Sequence, residues 1–292
     1  FGAYFGGLIS DRFGRRIIFL SAIFLTGVSG VASSLAPEFW TFFALRILVG
    51  VGLGACVPTD FSLFMEFVPS KHRGMLMGAM NLFWSLGGVF ICIMAYFILG
   101  KMDESIGWKW LVAFTSLPAV AIFFTRLFVP ESPRYLMINN RLETVTEILQ
   151  SVAKINKTKL PEGKLVFTNI DHTPKRSIVR QFLTLFSREL CMTTLLLLFI
   201  WFMISYGNWG MGFLLPIVFA KMDQGNVYGQ SLVVVTVGIV GYVLTAAIMD
   251  RVPRRYLMAI SMFIIGVLTM CIATTQNETT VVCIAMLVNF FS

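Results

Sequence analysis

Long apolar stretches separated by short polar ones make up most of this chain. Seven of them are long enough for membrane-spanning helices, which need about 20 apolar residues each. These stretches cover residues 17–36, 39–65, 75–100, 108–129, 190–216, 229–249 and 256–275. Shorter apolar stretches at residues 1–10 and 280–292 predict part of a further helix at each end. The pattern therefore predicts an all-α, polytopic membrane protein with about eight full or near-full membrane helices.

One long polar segment, residues 130–187, interrupts this pattern. Ser132 followed by Pro133 predicts a helix that begins at Pro133 with Ser132 as its N-cap. Apolar residues at positions 142, 145, 148, 149 and 152 predict an amphipathic helix, and residues 154–175 are expected to form a loop. We therefore divide the chain into an N-terminal helical bundle (1–129), a central cytoplasmic segment with short helices (130–187) and a C-terminal helical bundle (188–292).

Basic residues lie mostly on one side of the predicted spans. That side holds Arg12, Arg15, Arg16, Lys71, Arg73, Arg251, Arg254, Arg255 and the whole central segment. The other side holds only Lys101, Lys109 and Lys221. Because lysine and arginine are enriched in cytoplasmic loops, the first side is predicted to be cytoplasmic.

The composition agrees with a chain that lies in a lipid bilayer. Charged residues make up 13% of the chain, against about 25% in soluble proteins. The net charge of +8 comes from loops beside the spans, so we expect no nucleic-acid partner. The five cysteines lie in apolar stretches without a CxxC pair, and we predict no metal and no other cofactor. Because the chain begins and ends within apolar stretches, we expect it to be a segment of a longer protein.

A charged hinge between two apolar stretches carries the most specific pattern. It has the form Gly7-x-x-x-Asp11-Arg12-x-Gly14-Arg15-Arg16. A shorter copy, Asp250-Arg251-Val252-Pro253-Arg254-Arg255, follows much later. We expect a tight turn across residues 11–16, where glycine permits sharp bends and close packing. Two such hinges indicate an internal repeat, which is typical of secondary transporters.

Together with three further motifs, these hinges resemble the major facilitator superfamily. The motifs are Arg46-x-x-x-Gly50-x-Gly52-x-Gly54, Glu66-x-x-Pro69-x-x-x-Arg73-Gly74 and Pro130-Glu131-Ser132-Pro133-Arg134. Within the superfamily, Phe83-Trp84-x-x-Gly87-x-Val89, Gly107-Trp108-Lys109-Trp110 and Trp201-Phe202 resemble the synaptic vesicle 2-related (SVOP-like) transporters. The resemblance implies about twelve membrane helices in two halves. This chain would hold the second half of helix 2 to the start of helix 10.

The resemblance also implies that the two hinges act as gates between conformational states. The implied gating residues are Gly7, Asp11, Arg12, Gly14, Arg15, Arg16, Glu66, Arg73, Glu131, Arg134, Asp250, Arg251 and Arg254. Asp250 is expected to face the start of helix 5, near residues 74–77, and Asp11 is expected to face helix 11. A carboxylate at a helix N-terminus is stabilised by the helix dipole.

Ionisable side chains inside membrane spans are costly, which makes Arg46 and Asp60 candidates for substrate binding. Arg46 could pair with an anionic substrate or with an acid on helix 1, or it could hold helices together against backbone carbonyls. Asp60 could accept a proton or face a cationic substrate. The alternative for Asp60 is an acid of the inner vestibule that pairs with a loop arginine.

Aromatic and amide side chains on helices 5 and 7 form a second set of binding candidates. They are Asn81, Trp84, Tyr206, Asn208 and Trp209. Such groups can stack on a flat or cationic substrate in a midplane cavity. The alternative is that they pack between helices or form part of an interfacial aromatic belt.

The resulting hypothesis is a transporter of a small organic solute, an organic ion in particular, that works by alternating access. Two modes of transport stay open, namely transport coupled to a proton or a sodium ion and facilitative transport without a coupling ion. The alternatives are a vesicle-membrane receptor that has lost transport, and a sugar porter. We find no sequence motif of an enzyme. Asn277-Glu278-Thr279, on the outer side, is a candidate site for glycosylation.

Overall fold

The computed structural model describes residues 1–69, 72–158, 160, 178–221, 227–275 and 277–291. Within these ranges the chain forms twelve α-helices. They are α1 (Gly2–Phe13), α2 (Arg15–Ser34), α3 (Phe39–Phe67), α4 (Arg73–Leu99), α5 (Glu104–Arg126), α6 (Pro133–Ile138), α7 (Leu142–Ile155), α8 (Ile178–Leu185), α9 (Cys191–Lys221), α10 (Val227–Ile248), α11 (Arg254–Thr274) and α12 (Glu278–Phe291).

Seven of the described helices are long and apolar enough to cross a membrane, namely α2, α3, α4, α5, α9, α10 and α11. They coincide with the seven stretches predicted as full spans. The apolar part of α12, Thr279–Phe291, is shorter. The prediction of a multi-pass, all-α membrane protein is therefore confirmed.

The end of α9 differs from the prediction, in which this apolar stretch ended at residue 216. The helix continues through Pro216 to Lys221. Phe219 is only 1% exposed and packs in a cluster with Leu215, Val234 and Val281. Because this aromatic side chain is buried between helices, the last turn of α9 is stabilised by packing that the sequence pattern does not reveal.

The start of α5 also differs from the prediction, because the helix begins at Glu104 and not at Trp108. The backbone carbonyl of Asp103 accepts hydrogen bonds from the N–H groups of Ile106 at 3.0 Å and Gly107 at 2.8 Å. These bonds form a first turn ahead of the apolar stretch that was predicted to begin at residue 108.

One compact unit consists of residues 1–67 and 108–178. In it, α2 and α1 both pack against α3, around a core that includes Phe19, Ile23 and Cys56. The glycines of α1 allow close contact, since a Cβ at Gly6 would overlap Ala55 at 2.6 Å from its Cα. Gly2, four residues earlier, lies equally close to α3. Small residues spaced four apart thus allow α1 to lie close to α3.

The second compact unit consists of residues 68–107 and 179–292. In it, α10 packs against α4 and α12, and α11 packs against α12. Gly78 of α4 lies against Ala246 of α10, since a Cβ at Gly78 would be 3.0 Å from the Ala246 Cα. Contacts therefore group α4 with later helices, whereas the sequence places it in the N-terminal bundle. The division at residues 129 and 187 remains a prediction.

The central polar segment contains the two helices that the sequence predicts at its start. Helix α6 begins at Pro133, and the Ser132 hydroxyl caps it by accepting a hydrogen bond from the Tyr135 N–H at 3.0 Å. Helix α7 buries Val145 completely, and α6 and α7 pack together. Most of the expected loop (154–175) lies outside the described residues, namely residue 159 and residues 161–175.

Candidate functional site

The first charged hinge is a single-residue break between two helices. Helix α1 continues to Phe13, and α2 begins at Arg15. Gly14 between them has φ 103°, a conformation that favours glycine. The expected tight turn across residues 11–16 is wrong, because Asp11 and Arg12 still belong to the last turn of α1.

The Glu131 carboxylate caps the N-terminus of α2 from a distant part of the chain. It accepts backbone hydrogen bonds from Arg15 at 3.1 Å, Arg16 at 3.1 Å and Ser132 at 2.9 Å. The first turn of α2 contains no acidic residue of its own. A carboxylate in this place accepts hydrogen bonds from otherwise unpaired N–H groups. Its negative charge also interacts favourably with the positive end of the helix dipole.

Glu66, at the end of α3, joins the same group of residues. Its carboxylate forms an ion pair with the Arg15 guanidinium and accepts a hydrogen bond from the Ser132 hydroxyl. The side chains of Arg15 and Glu66 are 19% and 14% exposed, so water screens this pair less than a surface pair. We call Arg15, Arg16, Glu66, Glu131 and Ser132 the hinge cluster.

Two further hydrogen bonds attach the hinge to the end of α5 and to α6. The Arg16 guanidinium donates to the Leu127 carbonyl at 2.6 Å, and the Tyr135 hydroxyl donates to the Arg12 carbonyl at 3.2 Å. Arg134 is the second residue of α6 and is exposed. The structure thus brings together Arg15, Arg16, Glu66 and Glu131, four of the residues to which the resemblance assigns gating roles, while Arg12 takes part through its backbone.

A cavity of about 310 Å³ lies between α1 and α3, beside Arg15. Its lining includes Gly7 and the hydroxyl residues Ser10, Thr59 and Ser62. The hydroxyl groups donate to backbone carbonyls of their own helices. The lining of this cavity includes none of the residues predicted to bind substrate.

The side chain of Asp11, which is predicted to face helix 11, lies outside the described part of the structure.

The second hinge, in the other unit, also places a carboxylate at a helix N-terminus. Asp250 accepts a hydrogen bond from the Met75 N–H of α4 at 3.0 Å. A Cβ at Gly74 would overlap this carboxylate and lie 3.0 Å from the Arg254 guanidinium. Asp250 therefore lies where the resemblance places it, near residues 74–77. Arg73 begins α4, and Arg251 follows α10.

Arg46 lies on α3 and is half-buried. Its guanidinium lies 5.0 Å from the ring centroid of Phe42, one turn earlier on the same helix. Among the described residues, its Nε is buried without a hydrogen-bond partner. A guanidinium with an unused donor can form a hydrogen bond with a carboxylate or another acceptor.

Asp60, also on α3, pairs with Arg126 at the end of α5. The carboxylate and guanidinium are 3.9 Å apart, which is an ion pair but too long for a hydrogen bond. Arg126 is 11% exposed and lies 4.2 Å from the ring centroid of Phe19, whereas Asp60 is 41% exposed. Sequence analysis did not select Arg126, although a basic residue at the end of a predicted span was visible there.

The aromatic candidates of α4 and α9 meet within the second unit. The ring centroids of Trp84 and Trp209 are 6.2 Å apart at an interplanar angle of 73°. Tyr206 stacks on Phe202 at 6.4 Å, and Trp209 lies 6.5 Å from Phe213. Phe202, Tyr206, Trp209 and Phe213 recur at helical spacing, so one side of α9 is an aromatic strip.

These aromatic side chains remain accessible, with 56% of Trp84, 54% of Trp209 and 74% of Tyr206 exposed. Asn81 on α4 is half-buried and Asn208 on α9 is exposed.

Asn277, the glycosylation candidate, is exposed just before α12, and its carbonyl accepts a hydrogen bond from the Val281 N–H at 3.0 Å. Among the described residues, no group of His, Cys, Asp or Glu side chains could hold a metal ion.

Comparison with known families adds a match over the whole chain. A family model described as "Sugar (and other) transporter" matches residues 1–292. The chain is 37% identical over 164 residues to "Organic cation/carnitine transporter 7" of Arabidopsis thaliana, which covers 56% of this chain and 32% of that protein. It is 33% identical over 220 residues to "Putative transporter svop-1" of Caenorhabditis elegans, covering 75% and 41%.

A bacterial relative matches a longer part of the chain. The "Niacin transporter NiaP" of Acinetobacter baylyi is 27% identical over 263 residues, covering 88% of this chain and 57% of that protein. The chain thus spans 32% to 57% of the lengths of these relatives.

The fold matches solved transporter structures. A partially occluded, inward-open structure of the xylose transporter XylE from E. coli gives a TM-score of 0.70 at 22% identity, covering 99% of this chain and 67% of that one. The structure of XylE, named there as a major facilitator superfamily proton:xylose symporter, bound to 6-bromo-6-deoxy-D-glucose gives 0.68 at 23% identity. At this identity the likeness shows a shared fold.

Proposed function

Because the chain belongs to the sugar (and other) transporter family of the major facilitator superfamily, we propose that it carries a small organic ion across a membrane by alternating access. The observation that carries this proposal is the carboxylate cap that recurs at both charged hinges. Glu131 caps α2 in one unit and Asp250 caps α4 in the other, each beside a basic hinge. The gating roles of both hinges belong to the proposal.

The bonds at these hinges suit contacts that form and break during a transport cycle. They are ion pairs and carboxylate contacts with helix N-terminal N–H groups, and water can replace each partner when the contact opens. Each of these contacts contributes about 1–3 kcal/mol to the stability of the state in which it forms. Contacts of this strength bias a conformational equilibrium without fixing it.

The candidate binding groups favour an organic ion that carries a flat or apolar part. Trp84, Tyr206 and Trp209 offer ring faces that attract cations and stack on flat molecules, and Asn81 and Asn208 offer amide groups. Arg46 supplies a cation within a span. Two relatives are named as transporters, one of organic cations or carnitine and the other of niacin. These solutes are charged organic molecules. A proton or sodium ion is proposed as the coupling ion.

Uptake by the complete protein in proteoliposomes tests this function. Labelled quaternary ammonium compounds, nicotinate and xylose represent organic cations, organic anions and sugars. For a transported organic ion, we expect Trp84→Ala to raise KM about tenfold, since a lost cation–π or stacking contact contributes about 1–2 kcal/mol. Trp110→Ala, at another exposed tryptophan in a span, is the control and should leave KM unchanged.

The sugar porter is retained as the second candidate because the family model and the solved structures both include sugar transporters. Saturable uptake of xylose with no uptake of either organic ion would replace the proposed substrate class with a sugar. Uptake of all three solutes no higher than in protein-free vesicles would contradict transport. It would favour the alternative of a vesicle-membrane receptor that has lost transport.

A further inference from the structure

Helix α8 is strongly amphipathic and directly precedes the membrane helix α9. Its sequence, IVRQFLTL, continues into Phe186. At 100° per residue, the apolar positions 178, 179, 182, 183, 185 and 186 fall on one arc, and the polar positions 180, 181 and 184 fall on the opposite arc. A short helix of this kind suits the plane of a membrane interface.

The apolar side chains of this region are exposed on the protein. Leu183 is 61% exposed, Leu185 45% and Phe186 39%. The rings of Phe182 and Phe186 lie 5.2 Å apart, which makes a continuous aromatic patch. Clustered exposed apolar groups on one side of a helix mark a surface that contacts another apolar phase or a partner.

The connection between α8 and α9 holds this patch close to the membrane. The Cys191 N–H donates to the Ser187 carbonyl at 2.8 Å, and the Thr194 hydroxyl donates to the Leu185 carbonyl at 2.8 Å. The second bond joins the last residue of α8 to the first turn of α9. Helix α8 therefore ends close to the start of α9, which is one of the helices long and apolar enough to cross a membrane.

The charge around α8 matches an anionic lipid surface. Arg180 occupies a polar position of the helix, and the exposed Arg188 follows it. Glu189 is the acidic residue between positions 178 and 190. Basic residues beside aromatic and aliphatic groups favour the headgroup region of anionic lipids. We propose that α8 lies in the headgroup layer beside α9, with Leu183 and Phe186 in the acyl boundary and Arg188 on anionic phospholipid headgroups.

Spin labels on the complete protein in vesicles test this placement. In a cysteine-free background, Leu183→Cys, Phe186→Cys and Thr184→Cys carry the label, and Ile155→Cys on α7, which is 80% exposed, is the control. In phosphatidylcholine vesicles with a quarter phosphatidylserine, labels at 183 and 186 should collide more with oxygen than with a water-soluble nickel complex. Labels at 184 and 155 should show the reverse.

Two outcomes would overturn the proposal. Labels at 183 and 186 that are as open to nickel as the label at 155 would place α8 in water. Labels at 183 and 186 that are immobile and shielded from both reagents would place this patch against protein. Circular dichroism and size-exclusion profiles identify variants that have not folded, and in those cases Leu185→Cys serves as the replacement.

Charge reversal tests the headgroup contact. In the Leu183→Cys background, Arg188→Glu should raise the nickel accessibility of the label at least twofold in phosphatidylserine-containing vesicles, and much less in phosphatidylcholine alone. Arg141→Glu, just before α7, makes the same change of net charge and should have no effect. An unchanged label depth in the first variant would contradict binding to anionic headgroups.

Discussion

At the scale of single residues, Gly14 and Glu131 decide how the first hinge is built. Gly14 has φ 103°, and a Cβ there would lie 2.6 Å from the Glu131 carboxylate and 3.2 Å from the Tyr135 ring. The motif made Gly14 and Glu131 candidates, but neither their contact nor the cap on α2 follows from spacing. They are far apart in sequence, and only folding brings them together.

Gly14→Ala should destabilise the protein by about 2 kcal/mol or more. A positive φ costs an L-residue about 1–2 kcal/mol, and the added methyl group also displaces the Glu131 carboxylate. Thermal unfolding in detergent micelles measures the loss. Gly7→Ala, in the same motif, has nothing within 4 Å of its Cβ position and is the control. Equal melting temperatures for the two variants would contradict this account of Gly14.

At the scale of helices, Asp60 and Arg126 connect α3 to α5. Sequence analysis left Asp60 with two roles, a binding group or an acid paired with a loop arginine. The structure supplies an arginine partner, although Arg126 belongs to the end of a membrane helix and not to a loop. Its stack on Phe19 of α2 could not be predicted, because the order of helices around a bundle is a tertiary property.

A double-mutant cycle with Asp60→Asn and Arg126→Gln should show a coupling of about 0.5–1 kcal/mol in stability. The value is expected at the low end for contacting residues because Asp60 is 41% exposed and the charged groups are 3.9 Å apart. The cycle of Asp60→Asn with Arg141→Gln, on the central segment, is the control and should be additive. Additive effects for Asp60 and Arg126 would show that the pair is not formed.

At the scale of the whole molecule, the two compact units do not follow the order of the sequence. Helix α4 belongs to the unit that contains α9 to α12, with Gly78 against Ala246 and Gly88 near Val235. The sequence marked α4 as a span, but spans are alike in composition. The choice of partner depends on small residues that meet on two helices, and one helix alone does not display this.

Gly78→Val should destabilise the second unit by about 1–3 kcal/mol, since an enlarged side chain would push α4 away from the Ala246 backbone. Gly87→Val is the matched control on the same helix, because nothing lies within 4 Å of its Cβ position. Both changes replace a helical glycine with valine, so their propensity effects cancel. The melting temperature of the complete protein measures the difference, and equal values would contradict the close α4–α10 contact.

The sequence alone determined the class of protein, the seven spans, the capped start of α6 and the amphipathic α7. These follow from local physics, because lipid requires long apolar helices with internally satisfied backbones, and a cap needs only adjacent residues. The tertiary structure alone decided that Glu131 caps α2, that Arg126 is the partner of Asp60, that α9 continues to Phe219, and that α4 joins α10. Each depends on side chains distant in sequence that meet only after the helices have packed.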